Sequence, residues 1–411
     1  MKHSQGRYVM GAMSVHSMRV ATVLGLILAA LATSAEAQVI KRGAVTVYKA
    51  DQASQASRAS SSTIDFVNAK PFPLPEAPES ASVAAQQDLM NDLANRYQSS
   101  APIASGQALG RVGNGDTNPV ELGTPTVAPE TMEDQGFESQ QFGTFNHPFS
   151  TARADLNVPT NTRYPYRASG KLFFNIGSST FVCSASLIKR GVIVTAAHCV
   201  ANYGASQFYS NWVFVPGYRN GVAPFGSWTA SNALVTTAYF AGAVGQCSVA
   251  GIICNDDVAL IELAPQTSPV FPGTSTGWYG YAFGNSGFTT SLLTHITQTG
   301  YPVALDGGLL MQRNDSQGFR SAVNSNNTII GSLMTGGSSG GPWLNNFGYR
   351  PTLSGTTFGT FSNPNMVVGV TSWGYVSSLP KEQGASPFTS TNIVPLINAA
   401  CGVPIVDPRC L

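Results

Sequence analysis

Gly336-Gly337-Ser338-Ser339-Gly340-Gly341-Pro342 decides how this chain is read. A serine among small residues suits a nucleophile in a tight loop. Glycine allows positive φ and close approach of a second backbone. It also leaves backbone N–H groups free to face a developing oxyanion. The plain alternative is a glycine–serine linker. Two upstream stretches weigh against it, Thr195-Ala196-Ala197-His198-Cys199 and Asp257-Val258-Ala259-Leu260. A serine hydroxyl needs a base to take its proton, and the base needs a group to orient it. Residues for all three roles occur, in the order His, Asp, Ser. On this reading Ser339 is the nucleophile and His198 the general base, then general acid. Asp257 holds the imidazole tautomer, and the N–H groups of Gly337 and Ser339 form an oxyanion hole.

Chain order excludes a rival. Gly337-x-Ser339-x-Gly341 also fits the nucleophile elbow of α/β-hydrolases, whose histidine follows the serine. The last histidine here is His295. A subtilisin order would need its aspartate before His198, and Asp155 and the earlier aspartates lie outside the β-rich part of the chain.

Taken together, these segments resemble the chymotrypsin/trypsin-like serine peptidases, from about Tyr164 to the C-terminus. The resemblance implies an all-β fold, two six-stranded antiparallel β-barrels with the site in the cleft between them. It implies protein or peptide substrates and no cofactor or metal. Its D-V-A-L pattern selects Asp257 over Asp256, which is then expected to face solvent or a turn. It also implies a Cys183–Cys199 bridge. Ser372-Trp373-Gly374 matches the family's S-W-G segment, a strand that hydrogen-bonds the substrate backbone; the alternative is an ordinary buried strand with a core tryptophan.

Within the family, Tyr164-Pro165-Tyr166, residues 214–221 and residues 334–339 resemble the secreted microbial glutamyl-endopeptidase-like branch. That branch places a threonine five residues before the serine and a histidine before the S-W-G segment. Here those positions hold Met334 and Thr371, and Leu333 stands where trypsin-like enzymes carry an aspartate. A substrate site of Leu333, Met334, Thr335, Thr371, Ser372, Trp373 and Gly374 is therefore expected to favour uncharged side chains. In trypsin-like zymogens a freed amino terminus pairs with an aspartate just before the catalytic serine. Ser338 holds that position here, and no I-V-G-G-like start occurs between Gln38 and Tyr164. The oxyanion loop is thus expected to be preformed by Gly336, Gly337 and local hydrogen bonds of Ser338.

Bulk properties bound the rest. A formal charge of +1 over 411 residues gives no electrostatic reason to expect nucleic acid or an anionic membrane. All six cysteines follow residue 182. Without a C-x-x-C pair, disulfides are favoured over zinc; proximity in sequence suggests Cys247–Cys254 and Cys401–Cys410. Residues 1–37 read as a signal peptide, with basic residues, an apolar run over 20–32 and Ala35-Glu36-Ala37. The protein is then secreted, to the periplasm or the exterior, as a monomer without stable membrane association. Residues 38–159 read as a propeptide or flexible, largely irregular N-terminal extension. A second small domain is the alternative. Pro71, Pro73, Pro75 and Pro78 mark an extended stretch, and residues 82–98 suit an amphipathic helix. Residues 160–411 form the peptidase-like domain. Short strands are predicted at 171–176, 181–188, 192–194, 212–215, 233–240, 258–263 and 367–373. A short C-terminal helix over 391–400 is capped by Ser390 or Thr391. Two functional readings stay open: a secreted serine endopeptidase, broad or restricted to one partner, and a catalytically silent binding or adhesion protein on the same fold.

Overall fold

Two sets of six strands each close on themselves in the computed structural model. It describes residues 38–50, 64–77, 106–123, 125, 141–142, 148–154, 159–243, 255–267, 269–284, 293–320, 328–348, 363–375 and 382–411. All lie in one compact unit, Glu36–Leu411. The expected signal peptide, the helix over 82–98 and the Cys247–Cys254 bridge lie outside the described residues.

The first barrel uses β1 (Ser169–Ile176), β2 (Ser179–Lys189), β3 (Val192–Thr195), β4 (Ser210–Pro216), β5 (Trp228–Thr236) and β6 (Ala259–Leu263). Antiparallel pairing runs β5-β4-β1-β2-β3-β6 and returns to β5. The second uses β7 (Leu293–Gly300), β8 (Gln312–Arg320), β9 (Thr328–Gly331), β10 (Pro342–Asn345), β11 (Met366–Tyr375) and β12 (Glu382–Pro387). Its order is β7-β10-β11-β12-β9-β8, closed by β8 on β7. Closure removes the sheet edges that would otherwise invite aggregation.

Alternation along the strands builds the cores. Ile193 on β3 and Ile261 on β6 pack with Leu172, Leu187 and Phe214 in the first barrel. Their neighbours Val192, Val194 and Leu260 join a second cluster with Leu344 and Val367 of the other barrel. That cluster also takes Ile393, Leu396 and Ile397 from α2 (Ile393–Cys401), plus Val45 and Val47 from the N-terminal hairpin. Both faces of these strands are therefore buried, which is why they read as largely apolar runs, interrupted on β6 by Glu262. Cys183–Cys199 ties β2 to the turn after β3, and Cys401–Cys410 closes the C-terminal tail.

Two sequence expectations need correction. The predicted strand over 233–240 stops at Thr236, whose hydroxyl accepts from the Tyr239 N–H and caps α1 (Thr237–Ala241). A polar cap thus outweighs a β-rich run. The C-terminal helix is capped by Asn392, not Ser390 or Thr391; its side chain also donates to the carbonyls of Pro387 and Asn255.

The described parts of the extension pair with the barrels. Gln38–Arg42 and Val45–Lys49 form a hairpin laid antiparallel on β5. Pro148–Arg153 pairs with β8. Lys70–Pro71 and Glu76–Ala77 run parallel to β2 and β11 respectively. Among the described residues these pieces add to existing sheets rather than form a domain of their own.

Candidate active site

His198, Asp257 and Ser339 come from three separate elements. His198 lies in the single turn Ala197–Cys199 that follows β3. Asp257 precedes β6, and Ser339 sits in the loop before β10. All three are buried. Asp257 Oδ2 is 2.8 Å from His198 Nδ1, and Oδ1 accepts the His198 backbone N–H at 2.8 Å. Ser372 Oγ on β11 donates to Oδ2 at 2.5 Å. The first barrel thus supplies the imidazole and its carboxylate, and the second fixes that carboxylate. Ser339 Oγ and His198 Nε2 are both buried without a hydrogen-bond partner. The structure joins His198 to Asp257 and Asp257 to Ser372, and makes no serine–histidine hydrogen bond.

Sterics explain the glycines on either side of Ser339. Gly337 has φ +89°, and a Cβ there would lie 2.6 Å from the Tyr301 carbonyl. Gly340 has φ +78°, and a Cβ would lie 2.0 Å from Thr195 Oγ1. Only glycine fits both demands. Ser184 on β2 then clamps the loop from the first barrel. Its N–H donates to Ser339 O at 2.7 Å and its hydroxyl to Gly337 O at 2.9 Å.

Ser338 is buried, and among the described residues no carboxylate bonds to it. Its N–H and its hydroxyl both donate to the Thr335 carbonyl, at 3.1 and 2.7 Å. Behind it lies a buried pair of amides. Gln383 Nε2 donates to Met334 O at 2.6 Å and to Ser338 Oγ at 3.2 Å. Gln383 Oε1 accepts from Gln298 Nε2 at 2.6 Å, and Gln298 Nε2 also reaches Thr371 Oγ1 at 2.6 Å. Ser332 Oγ donates to Gln298 Oε1 at 2.9 Å and accepts the Met334 N–H at 3.1 Å. The network is neutral throughout. Sequence reading missed Gln298, Gln383 and Ser184, because a polar residue in a strand reads as outward-facing.

Of the expected substrate-site residues, Met334, Thr371, Ser372, Trp373 and Gly374 are buried, and Leu333 and Thr335 are half-buried. Asp256 sits in a turn, as expected, but it is buried rather than solvent-facing, and burial pushes its carboxyl up to about 6 against a hydrogen bond from Thr236. Cys183 and Cys199 lie beside His198, yet their sulfurs are bonded to each other and offer no thiolate to a metal. Among the described residues no helix is long and apolar enough to cross a membrane.

Comparison with known proteins places the chain in a family. The family model for trypsin matches residues 158–394. The glutamyl endopeptidase of Bacillus licheniformis is 28% identical over 202 residues, 48% of this chain and 55% of that protein. A Bacillus subtilis protein named extracellular metalloprotease is 28% identical over 168 residues, 40% of this chain and 47% of its own. The chain thus spans about half the length of the curated relatives it matches. Among solved structures, the protease Anisep from Arthrobacter nicotinovorans has a TM-score of 0.44 at 26% identity, covering 57% of this chain and 95% of that one. A Glu endopeptidase in complex with MPD has a TM-score of 0.43 at 20% identity, covering 63% and 97%.

Proposed function

Because the chain belongs to the trypsin family, we propose that it is a secreted serine endopeptidase that cleaves peptide bonds through an acyl-enzyme on Ser339. One observation carries this reading. Asp257 holds His198 by ring and backbone, while the two atoms that would exchange a proton, Ser339 Oγ and His198 Nε2, are buried and unpartnered. Ser339 Oγ attacks the scissile carbonyl carbon as its proton passes to His198 Nε2. Asp257 stabilises the imidazolium. The N–H groups of Gly337 and Ser339 receive the oxyanion. Collapse breaks the C–N bond, and Nε2 gives the proton to the leaving nitrogen. Water repeats the sequence on the ester and frees Ser339. Export is supported by the reading of residues 1–37, by the two disulfides and by the name of the Bacillus subtilis relative.

The test is a fluorophosphonate, which reports an activated serine and separates an enzyme from a silent binding protein on the same fold. Mass mapping should place the label on Ser339 and leave Ser338 unmodified. Ser339→Ala should abolish labelling and lower kcat by several orders of magnitude without unfolding the protein. Undiminished labelling of Ser339→Ala would end the assignment.

Ser372, Trp373 and Gly374 carry the acyl half of the substrate, and its last side chain enters between Leu333, Met334, Thr335 and Thr371. The Thr371 hydroxyl is already taken by Gln298 and by Trp343 Nε1. No charge lies among these residues, and burying an unpaired substrate charge costs several kcal/mol. A peptide library should show preference for uncharged residues before the scissile bond. Strong selection of Glu or Arg there would show that a charged group from another loop lines the pocket.

A further inference from the structure

Residues 70–77, Lys-Pro-Phe-Pro-Leu-Pro-Glu-Ala, run from β2 past His198 and Gly337 to β11. Lys70 and Pro71 lie opposite Phe181 and Val182 of β2, in parallel register. The Phe72 N–H donates to Val182 O at 2.9 Å. Its ring stacks on His198, centroids 5.9 Å apart and planes 20° from parallel. Its carbonyl accepts the Gly337 N–H at 3.1 Å. Leu74 packs where Gly374 has no side chain; a Cβ there would lie 2.7 Å from Leu74 Cδ2. The Gly374 N–H donates to Pro75 O at 2.9 Å, and Glu76 and Ala77 then run parallel to Gly374 and Tyr375 of β11. The groups proposed for catalysis and substrate binding are thus engaged by the chain's own backbone.

Direction decides what this contact does, and this step rests on the proposed function. The acyl half of a substrate lies along β11, beside Leu333 and Met334. The leaving half lies toward β2, because His198 must protonate the leaving nitrogen. A substrate therefore runs from β11 to β2, whereas residues 70–77 run from β2 to β11. Reversal also turns the antiparallel pairing of a substrate into the parallel pairing observed at both ends. If Ser339 attacked the Phe72 carbonyl, the leaving nitrogen would be that of Pro73, on the β11 side and away from His198. No proton donor would serve it there. Pro71, Pro73 and Pro75 also hold the segment extended, which lowers the entropy lost on binding.

We propose that residues 70–77 are a built-in inhibitor, a proline-rich peptide seated in the substrate groove in reverse, with Phe72 covering His198 and its carbonyl on the Gly337 N–H. Its tether to the domain keeps its effective concentration high. The seat is a binding site for extended peptides of this chemistry, and an untethered copy competes with substrate.

The experiment compares the full-length protein with full-length Phe72→Ala and Leu74→Asp, reading fluorophosphonate labelling and amide hydrogen exchange over 336–340 and 372–375. Both variants should label about tenfold faster or more and lose protection at Gly337 and Gly374. A synthetic peptide of residues 68–79 should then raise KM for the Leu74→Asp protein without lowering kcat, and be recovered uncleaved. Unchanged labelling with unchanged exchange would overturn the inference, as would cleavage of the peptide within 70–77. Lost protection in a protein that never labels would support the seat while the endopeptidase reading fails. If Phe72→Ala does not fold, Leu74→Asp and the peptide decide alone.

Discussion

Asp257→Asn is expected to lower kcat about ten-thousandfold at neutral pH with little change in the melting temperature. The carboxylate accepts three hydrogen bonds, from the His198 backbone N–H, from His198 Nδ1 and from Ser372 Oγ. An asparagine keeps its carbonyl oxygen on the backbone N–H, because only that oxygen can accept there. Its NH₂ then faces Nδ1 and the Ser372 hydroxyl. Both can accept a hydrogen bond, so only the Ser372 hydroxyl proton loses its acceptor, and the fold survives at a small cost. The imidazole, however, must now present a bare Nδ1 and carry its proton on Nε2. That tautomer cannot take the proton of Ser339. The measurement is kcat and the fluorophosphonate rate beside a thermal melt. Loss of rate below about tenfold would place the tautomer under the control of another group, and a large drop in melting temperature would give Asp257 a mainly structural role.

The parts of this site visible in the sequence share one physical property. TAAHC, DVAL and GGSSGGP place each reactive side chain within two residues of the turn that aims it, so local chemistry records them. The barrel strands are visible for a related reason, since residues 192–194 and 258–261 are apolar on both faces. What stayed hidden depends on partners far away in sequence. Gln298 and Gln383 are 85 residues apart and satisfy each other only after the second barrel closes. Asp256 reads as exposed because a carboxylate usually is, and only the folded chain shows that it is buried. The alternating prolines at 71, 73 and 75 announce an extended segment, but not that Phe72 reaches the Gly337 N–H 265 positions later. Short parallel pairings at Lys70–Pro71 and Glu76–Ala77 leave no periodicity to detect.

Gln383→Leu tests whether the neutral amides stand where trypsin-like relatives use a buried terminal ion pair. Ser338 can offer no carboxylate to an ammonium, and its hydroxyl is already bonded to Thr335 O and Gln383 Nε2. Leucine preserves volume but removes a donor pair and an acceptor. Met334 O loses its 2.6 Å bond, and Gln298 Nε2 and Ser332 Oγ lose an acceptor. Each buried polar group left short costs about 1–3 kcal/mol, so the melting temperature should fall by about 10 °C. Residues 334–338 should relax, and the Gly337 N–H should leave its place. Loss of one oxyanion donor costs about a hundred- to a thousandfold in kcat, and that loss should appear at 20 °C, well below both melting transitions. The partner experiment adds residues ahead of Gln38. These proteins should label at Ser339 as fast as the unextended chain, because no particular amino terminus completes the site. A Gln383→Leu protein of unchanged rate would show that Ser184 and the loop glycines hold the oxyanion hole by themselves. Activity confined to one free amino terminus would instead require a buried ion pair, and the amide network would then be a structural feature of the second barrel alone.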